Sequence, residues 1–207
     1  MSWFQANGVQ VYRAYDHGWF PDAAVCLWIA HLGNRYIVFK EKLWFKTIVT
    51  QIAEEIKAES DGLKVVTTFC DPSMEIHTGH DVRSIKDIFE ESGVPMESSI
   101  NNRELYASAV HSILGTEVAP NVPLLQILGD ACPYLVKTLP QMQFDEKRPL
   151  AMANHRHDHA VVALAYFAIS SGAIERKPQF TSPITKKWLT PKPNQREVLG
   201  SESVKEP

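Results

Sequence analysis

Three aspartates in this 207-residue chain occupy positions where they could bind a divalent cation. Asp16 follows the alternating run of residues 9–15, and Asp71 follows the apolar run of residues 63–70. Asp158 lies in a histidine-rich segment immediately before another apolar run. Carboxylate oxygens suit Mg²⁺ and Mn²⁺, and three neighbouring carboxylates repel one another unless cations neutralise them. Since paired ions of this kind catalyse phosphodiester cleavage, the chemistry that the pattern favours is metal-dependent hydrolysis.

Each aspartate also fits an ordinary structural role. Asp16 stands two residues before Gly18 in a turn-forming segment, and Asp71 precedes a proline that ends a strand. Asp158 is a good residue to cap a helix. Taken one at a time, these roles are the simpler interpretation, so the metal-site hypothesis depends on a fold that brings the three carboxylates together.

The histidines near Asp158 allow a different kind of site. His155, His157 and His159 alternate, as they would in a strand-like zinc clip. No nearby cysteine and no second histidine pair completes a tetrahedral site, which makes a zinc-dependent hydrolase the less favoured alternative. His159 either supports a metal centre beside the aspartate or simply forms a hydrogen bond with it.

Several other charged residues near these segments are interpreted as surface charges. They are Asp22, Glu41, Lys40, Lys42 and Arg103. Solvation is the general expectation for such side chains, although the two acids could also be ligands of the metal site and the three cations could contact phosphate.

Composition places the chain among globular proteins and excludes some classes of function. The net charge is −3, but residues 176–207 carry seven Lys/Arg and three Glu, which leaves −7 on the remaining residues. Such an acidic body binds phosphate backbones weakly, because electrostatic attraction supplies most non-specific affinity for nucleic acid. The sequence has no G-x-x-x-x-G-K-[ST] motif, so it contains no P-loop for a nucleotide.

Cysteine usage and hydropathy predict a soluble intracellular protein. Cys26, Cys70 and Cys132 are far apart and odd in number, which favours buried, reduced thiols. The longest apolar run, residues 161–169, is too short to cross a bilayer, and no charged-then-apolar leader opens the chain. We therefore expect no membrane association.

Hydrophobic periodicity predicts a single α/β domain. Alternating or apolar runs predict strands over residues 9–15, 23–31, 35–45, 63–70, 96–100 and 124–128. Apolar faces of helical period predict helices over residues 47–60, 84–91, 102–114, 131–138 and 159–171. Three strands joined by short turns, then a helix and a buried strand, are the order in which a mixed sheet places its first and fourth strands side by side. Asp16 and Asp71 would then lie at the same edge of the sheet.

Five segments, in this order, resemble the nuclease domain of the large terminase subunit of tailed bacteriophages. The similarity extends from about Val9 to Ser171. The segments are Tyr15-Asp16-His17-Gly18, Phe69-Cys70-Asp71-Pro72-Ser73, Asn101-Asn102-Arg103, Cys132-Pro133-Tyr134-Leu135, and Asp158-His159-Ala160 with the following Ala163-Leu164-Ala165-Tyr166. Any one of these segments is unspecific, whereas the ordered set with its spacing is fairly specific.

The resemblance implies an RNase H-like mixed central sheet flanked by helices, and the polar, proline-interrupted sequence beyond Gly172 predicts a flexible C-terminal tail. It also implies an endonuclease that cuts concatemeric, double-stranded viral DNA during genome packaging, using two Mg²⁺ or Mn²⁺ ions. Asp16, Asp71 and Asp158 would be both the catalytic residues and the metal ligands, with His159 as a further candidate ligand. The resemblance does not indicate which residues contact DNA.

One departure from the family pattern concerns the third ligand. In much of the family the last helix carries a further Asp three residues after the His, and an Arg just before the Tyr. The corresponding residues here are Val162 and Ala165, so only Asp158 and its flanking histidines are available. The departure keeps a second hypothesis open, namely a catalytically idle RNase H-like module of the packaging motor that binds DNA or a protein partner.

Composition and the resemblance together indicate how the chain is divided, and the resemblance implies what it binds. We expect a lead-in over residues 1–8 that is partly vector-derived, a nuclease domain over 9–174, and a basic, proline-containing tail over 175–207. The ATPase domain that normally precedes the nuclease domain is missing, so the chain is expected to be a fragment of a viral protein of the host cytoplasm. Expected partners are double-stranded DNA, that ATPase domain, the small terminase subunit, and the portal protein through residues 176–207.

Overall fold

The computed structural model describes residues 3–18, 22–77, 83–153 and 157–174. His155 and the expected tail over 175–207 lie outside the described residues. Within these ranges the chain forms a six-stranded sheet with helices on both faces, and a separate two-stranded ribbon. None of the helices in these ranges is long and apolar enough to cross a membrane.

The observed elements follow the predicted order. The strands are β1 (Gln10–Asp16), β2 (Ala24–Leu32), β3 (Arg35–Trp44), β4 (Lys64–Cys70), β5 (Met96–Ser98), β6 (Glu117–Ala119), β7 (Val122–Pro123) and β8 (Leu125–Ile127). The helices are α1 (Trp3–Ala6), α2 (Val49–Glu59), α3 (Ile85–Glu91), α4 (Arg103–Gly115), α5 (Pro133–Thr138) and α6 (His159–Ser170), with 3-10 turns at Pro72–Glu75 and Leu139–Gln141. Every strand and helix predicted from periodicity is present, with boundaries that differ by at most two residues.

The strand order in the sheet is β5-β4-β1-β2-β3-β8. The first three strands form the predicted antiparallel meander, whereas β4 runs parallel to β1, and β5 and β8 run parallel to their neighbours. In the β1–β4 pair Tyr15 lies opposite Cys70, so Asp16 and Asp71 follow adjacent positions at the same edge of the sheet. The predicted α/β class, the mixed sheet and the adjacency of the first and fourth strands are confirmed.

Two apolar layers cover the two faces of this sheet. Because successive side chains of a strand point to opposite faces, Ala14 packs in the layer of α6 and Tyr15 packs in the layer of α2 and α3. Helix α6 is buried at nine consecutive positions, residues 160–168. A helix that is apolar all round is stable only in a buried place, and α6 accordingly contacts β1, β2, β4 and α4.

Local capping signals explain where two of the helices begin. Ser84 caps α3 through the predicted capping box, in which its hydroxyl accepts from Asp87 N and the Asp87 carboxylate accepts from Ser84 N. Asn102 caps α4 by accepting a hydrogen bond from Glu104 N at 2.9 Å. Helix α4 therefore starts immediately after Asn102. This start places Asn101 next to Asp71, at the end of β4.

Sequence periodicity does not predict two parts of the fold. Helix α1 forms within the segment expected to be a lead-in, and its Phe4 ring packs against Phe39 with ring centroids 4.3 Å apart. Strands β6 and β7 form a hairpin that turns at Asn121, where φ is 60°. Asparagine tolerates this left-handed conformation better than most residues. Both elements are too short for an apolar period to show in the sequence.

The cysteines are buried, as predicted, and their sulfurs are unbridged. They are Cys26, Cys70 and Cys132. Burial raises the pKa of each thiol to about 12. The thiols therefore stay protonated and unreactive at neutral pH.

Candidate metal centre

The carboxylates of Asp16 and Asp71 meet at the hydroxyl of Tyr166, which projects from α6. The Tyr166 oxygen lies 3.1 Å from Asp16 Oδ1 and 2.7 Å from Asp71 Oδ2. Burial, together with the charge of Asp16, raises the pKa of Tyr166 far above its usual value. The hydroxyl is therefore a neutral hydrogen-bond donor, and the fold brings two of the three predicted aspartates to one point.

Several further donors hold the Asp71 carboxylate. Its Oδ1 accepts from Ser73 N at 2.6 Å, which caps the following 3-10 turn. Its Oδ2 accepts from Asn101 Nδ2 at 3.0 Å in addition to Tyr166. Tyr106 orients the asparagine by donating to Asn101 Oδ1 at 3.0 Å. Asp71 thus caps the turn that follows β4, and the same contacts hold its carboxylate next to that of Asp16.

His159, the first residue of α6, lies beside Asp16. Its Nδ1 is 2.6 Å from Asp16 Oδ2, and its side chain is 14% exposed. Burial alone would lower the pKa of His159, but the hydrogen bond and the charge of Asp16, helped by other nearby aspartates, outweigh burial and raise it. The protonated imidazole is therefore favoured, and it neutralises part of the charge on Asp16.

Helical spacing places Val162 between His159 and Tyr166 on one side of α6. Residues that are three, four and seven positions apart project from the same face of a helix. Val162 is 3% exposed, and it stands where the resemblance implies an acid. This face of α6 therefore supplies a histidine, a valine and a tyrosine to the site.

Asp158, the third predicted aspartate, pairs with Arg103. Its Oδ2 lies 2.9 Å from Arg103 Nη1, and the same nitrogen donates to Ala153 O at 3.3 Å. Asp158 occupies the N-cap position of α6, but its side chain forms no capping hydrogen bond, so the helix-capping role considered for it is wrong. The interpretation of Arg103 as a solvated surface charge is also wrong, because its side chain is only 24% exposed and pairs with a buried carboxylate.

Three more residues interpreted as surface charges have structural roles. Glu41 accepts hydrogen bonds from the backbone nitrogens of Tyr134 and Leu135, at 2.5 and 2.9 Å, and so caps α5 from strand β3. Lys40 and Lys42 pair with glutamates of α2, and each lies over a tryptophan ring. The Glu41 contacts join residues that are 93 and 94 positions apart in the sequence, so spacing along the chain does not reveal them.

The donor chemistry of the carboxylate pair fits a hard divalent cation. Mg²⁺ is commonly bound by one or two carboxylates, with water and substrate phosphates completing its coordination. Within the described ranges, no group of three or more His, Cys, Asp or Glu side chains is arranged to hold an ion. His155, which the zinc alternative also needs, lies outside these ranges. The oxygens that do converge are those of Asp16 and Asp71.

Solved structures with this fold include large terminases of bacteriophages. The large terminase of a thermophilic bacteriophage, in complex with ADP, superposes with a TM-score of 0.63 and 15% identity, covering 78% of this chain and 39% of its own. The g2p (large terminase) nuclease domain of bacteriophage SPP1, with bound Mn, has a TM-score of 0.54 and 16% identity, covering 78% and 86% of the two chains. The P22 large terminase nuclease domain has a TM-score of 0.57 and 12% identity, covering 79% and 82%.

The chain therefore has the fold of large terminase nuclease domains, as the sequence resemblance predicts. It spans only 39% of the length of the ADP-bound large terminase that it matches. No protein-family model matches the sequence, and no curated protein matches it. At these levels of identity the likeness defines the fold, and the activity has to be inferred from the site.

Proposed function

We propose that this chain is the nuclease domain of a phage large terminase and that it cleaves double-stranded DNA with divalent cations. The observation that carries the proposal is the convergence of Asp16 and Asp71 on one hydroxyl, at the edge of a sheet with the terminase nuclease fold. The SPP1 nuclease domain that shares this fold contains bound Mn, which supports a divalent cofactor. In this role the domain would cut concatemeric viral DNA during genome packaging.

Asp16 and Asp71 would hold the cation, since their carboxylates are the convergent oxygen donors. A bound Mg²⁺ or Mn²⁺ supplies an activated water and stabilises charge on the leaving 3′ oxygen. Asn101 and Ser73 keep the Asp71 carboxylate oriented. His159 keeps the Asp16 carboxylate oriented. When protonated, its imidazole would also attract a phosphate group of the substrate.

The resemblance implies two ions, and a second ion needs a further ligand from the start of α6. Asp158 supplies that ligand if its carboxylate leaves Arg103, whereas His159 supplies it if the imidazole deprotonates and turns from Asp16. In the first case Asp158→Asn weakens Mn²⁺ binding, and in the second case His159→Asn does. Isothermal titration calorimetry of the two variants distinguishes these ligand sets.

Cleavage of supercoiled plasmid DNA by the full chain tests the proposed activity. We expect nicking with Mn²⁺ and none with EDTA. Asp16→Asn and Asp71→Asn should each abolish nicking, because each removes one of the two carboxylates that hold the cation. Asp130→Asn is the matched control, since it changes an exposed acid in the loop before α5, and it should cut at the wild-type rate.

Thermal unfolding of each variant separates loss of catalysis from loss of the fold. The unmodified chain and the aspartate-to-asparagine variants should all unfold in a single transition. A folded double variant, Asp16→Asn with Asp71→Asn, that still nicks DNA at the wild-type rate contradicts the nuclease assignment.

Val162 supports a second candidate function, a catalytically idle RNase H-like module that binds DNA or a protein of the motor. Its buried isopropyl group stands where the resemblance implies an acid, so one carboxylate of a two-ion site is replaced by an apolar group. For this alternative we expect DNA binding without cleavage at any Mn²⁺ concentration. Val162→Asp should then create Mn²⁺-dependent nicking that the unmodified chain lacks.

The remaining parts of the proposal concern partners in the motor. An acidic body of −7 binds DNA weakly, so the ATPase domain of the full-length protein would hold the DNA at the site, with the small terminase subunit, in the host cytoplasm. Residues 176–207 combine basic charge with Trp188 and Leu189, a composition suited to docking as an extended peptide on an acidic portal surface. Deleting them should leave nicking unchanged and weaken binding to purified portal, whereas equal portal binding contradicts this role.

A further inference from the structure

The hydroxyl of Tyr166 lies where a cation shared by Asp16 and Asp71 would lie. We propose that this hydroxyl is a placeholder in the metal-free protein, which keeps the two carboxylates together and is displaced when a divalent cation binds. The inference rests on the metal-dependent function proposed above. It adds a residue that competes with the metal without being one of its ligands.

Geometry limits what the hydroxyl can do for the two acids. Its oxygen is 2.7 Å from Asp71 Oδ2 and 3.1 Å from Asp16 Oδ1. A tyrosine hydroxyl has one proton and donates one strong hydrogen bond at a time. One of the two carboxylates is therefore incompletely satisfied at this contact, whereas a divalent cation can contact both. The longer distance identifies Asp16 as that carboxylate, and the imidazole of His159 lies at its other oxygen.

The surroundings of the ring keep the hydroxyl in this place. Tyr166 is 1% exposed, and the Tyr106 ring packs edge-on against it, with centroids 5.6 Å apart and ring planes at 87°. Turning the Tyr166 ring away from the acids would break this packing. The hydroxyl therefore stays beside the carboxylates until a cation takes over its contacts.

Displacement of the hydroxyl lowers the affinity of the site for metal. An interaction made only in the metal-free state opposes binding by the free energy that it contributes to that state. Removing the hydroxyl also leaves the two carboxylates less neutralised, and their repulsion favours a cation. Because hydrogen bonds to ionised acceptors are about twice as strong as neutral ones, Tyr166→Phe should lower the dissociation constant for Mn²⁺ on the order of tenfold.

Two measurements on the full chain test the placeholder role. One is isothermal titration calorimetry with MnCl₂, and the other is thermal unfolding in EDTA and in saturating Mn²⁺. Tyr166→Phe should bind Mn²⁺ more tightly, unfold at a lower temperature in EDTA, and unfold at the wild-type temperature in Mn²⁺. Tyr36→Phe is the matched control, because it deletes the hydroxyl of another buried tyrosine that packs against α6, at Phe167, and it should not tighten Mn²⁺ binding.

The outcomes separate this inference from the proposed function. Unchanged or weaker Mn²⁺ binding by Tyr166→Phe, when the unmodified chain binds Mn²⁺, overturns the placeholder role alone. Equal decreases of the unfolding temperature with and without Mn²⁺ also overturn it, since they indicate a purely structural hydrogen bond. An unmodified chain that binds no Mn²⁺ contradicts the metal-dependent function and the placeholder role together.

Discussion

Arg103 and Asp158 connect the first turn of α4 to the start of α6, although 55 residues separate them in the sequence. Arg103 Nη1 donates to Asp158 Oδ2 at 2.9 Å, and the aspartate side chain is 6% exposed. Helix α4 directly follows Asn101, while α6 carries His159 and Tyr166. The ion pair therefore fixes the start of α4 relative to α6. Asn101, before α4, holds Asp71, and His159 and Tyr166 of α6 hold Asp16.

Replacing Arg103 with leucine should destabilise the fold by about 3 kcal/mol, because it removes the guanidinium that pairs with a buried carboxylate. Adding Asp158→Asn should recover much of this loss, since the amide carries no charge. Urea unfolding of the single and double variants measures the coupling. Arg148→Leu is the control, because it breaks an exposed pair with Asp145 and should have no measurable effect. A double variant that is no more stable than Arg103→Leu contradicts this explanation.

The contact of His159 with Asp16 should stabilise the metal-free protein most at mildly acidic pH. Burial opposes protonation of His159, but Asp16 outweighs it and raises the pKa above the usual 6.5. Stabilisation from a raised histidine pKa is fully present below the unfolded-state pKa and is lost as pH rises through the folded-state pKa. In EDTA, the difference in free energy of unfolding between wild type and His159→Gln should therefore be larger at about pH 5.5 than at about pH 9.

The comparison needs a control for a second histidine, His17, which also lies beside Asp16. Burial lowers the pKa of His17, so protonation of His17 destabilises the fold as pH falls. The charge of His159 contributes to this lowering, so the comparison is repeated in a His17→Gln background, where that coupling is absent. A difference that stays constant or increases with pH would rule out a protonated His159 paired with Asp16.

Glu41 should behave as a helix cap that is supplied by a strand. Cys132, at the N-cap position of α5, forms no capping hydrogen bond, and Glu41 satisfies the backbone nitrogens of Tyr134 and Leu135 instead. Glu41→Ala should cost about 1–2 kcal/mol of stability, as loss of an N-cap usually does. Glu41→Gln keeps an acceptor oxygen and should cost less. If Glu41→Ala and Glu41→Gln lose equal stability in urea unfolding, capping by Glu41 is not the source of the stabilisation.

Ser60 should be important for stability because two buried donors share its hydroxyl. Its Oγ accepts from Arg13 Nη1 and Trp28 Nε1, at 3.1 and 2.9 Å, and donates to Ile56 O at the end of α2. Ser60→Ala leaves both donors without this acceptor, so we expect a loss of about 2–4 kcal/mol in urea unfolding. Adding Arg13→Met removes one of the two donors and should reduce the loss. A double variant that is less stable than Ser60→Ala contradicts the shared-acceptor explanation.

Periodicity and capping residues are sufficient to predict the framework of the fold. For α6 the sequence predicts residues 159–171 and the structure has His159–Ser170, because an unbroken apolar run leaves a helix without a solvated face. The pairing of β1 with β4 follows from a meander, a helix and a buried strand in succession. That pairing brings Asp16 and Asp71 to one edge of the sheet.

Contacts between distant residues set the limit of sequence-based prediction. Tyr166 contacts Asp71 across 95 residues, and Glu41 contacts Leu135 across 94. Polar partners at such separations have no spacing signal, since periodic patterns report only on the local element. For Asp158 the sequence indicates a helix cap or a metal ligand, and only the folded structure reveals its pairing with Arg103.

The late position of α6 in the chain has a consequence for synthesis on the ribosome. Strands β1 to β4 emerge well before α6, so the face of the sheet that α6 covers, with Leu27 and Phe69, stays exposed to water in the nascent chain. Exposed apolar surface of this kind makes partly folded chains prone to aggregation. His159 and Tyr166 arrive with the same helix, so this apolar face is covered and the contacts with Asp16 and Asp71 form in the same step, after residue 170 leaves the exit tunnel.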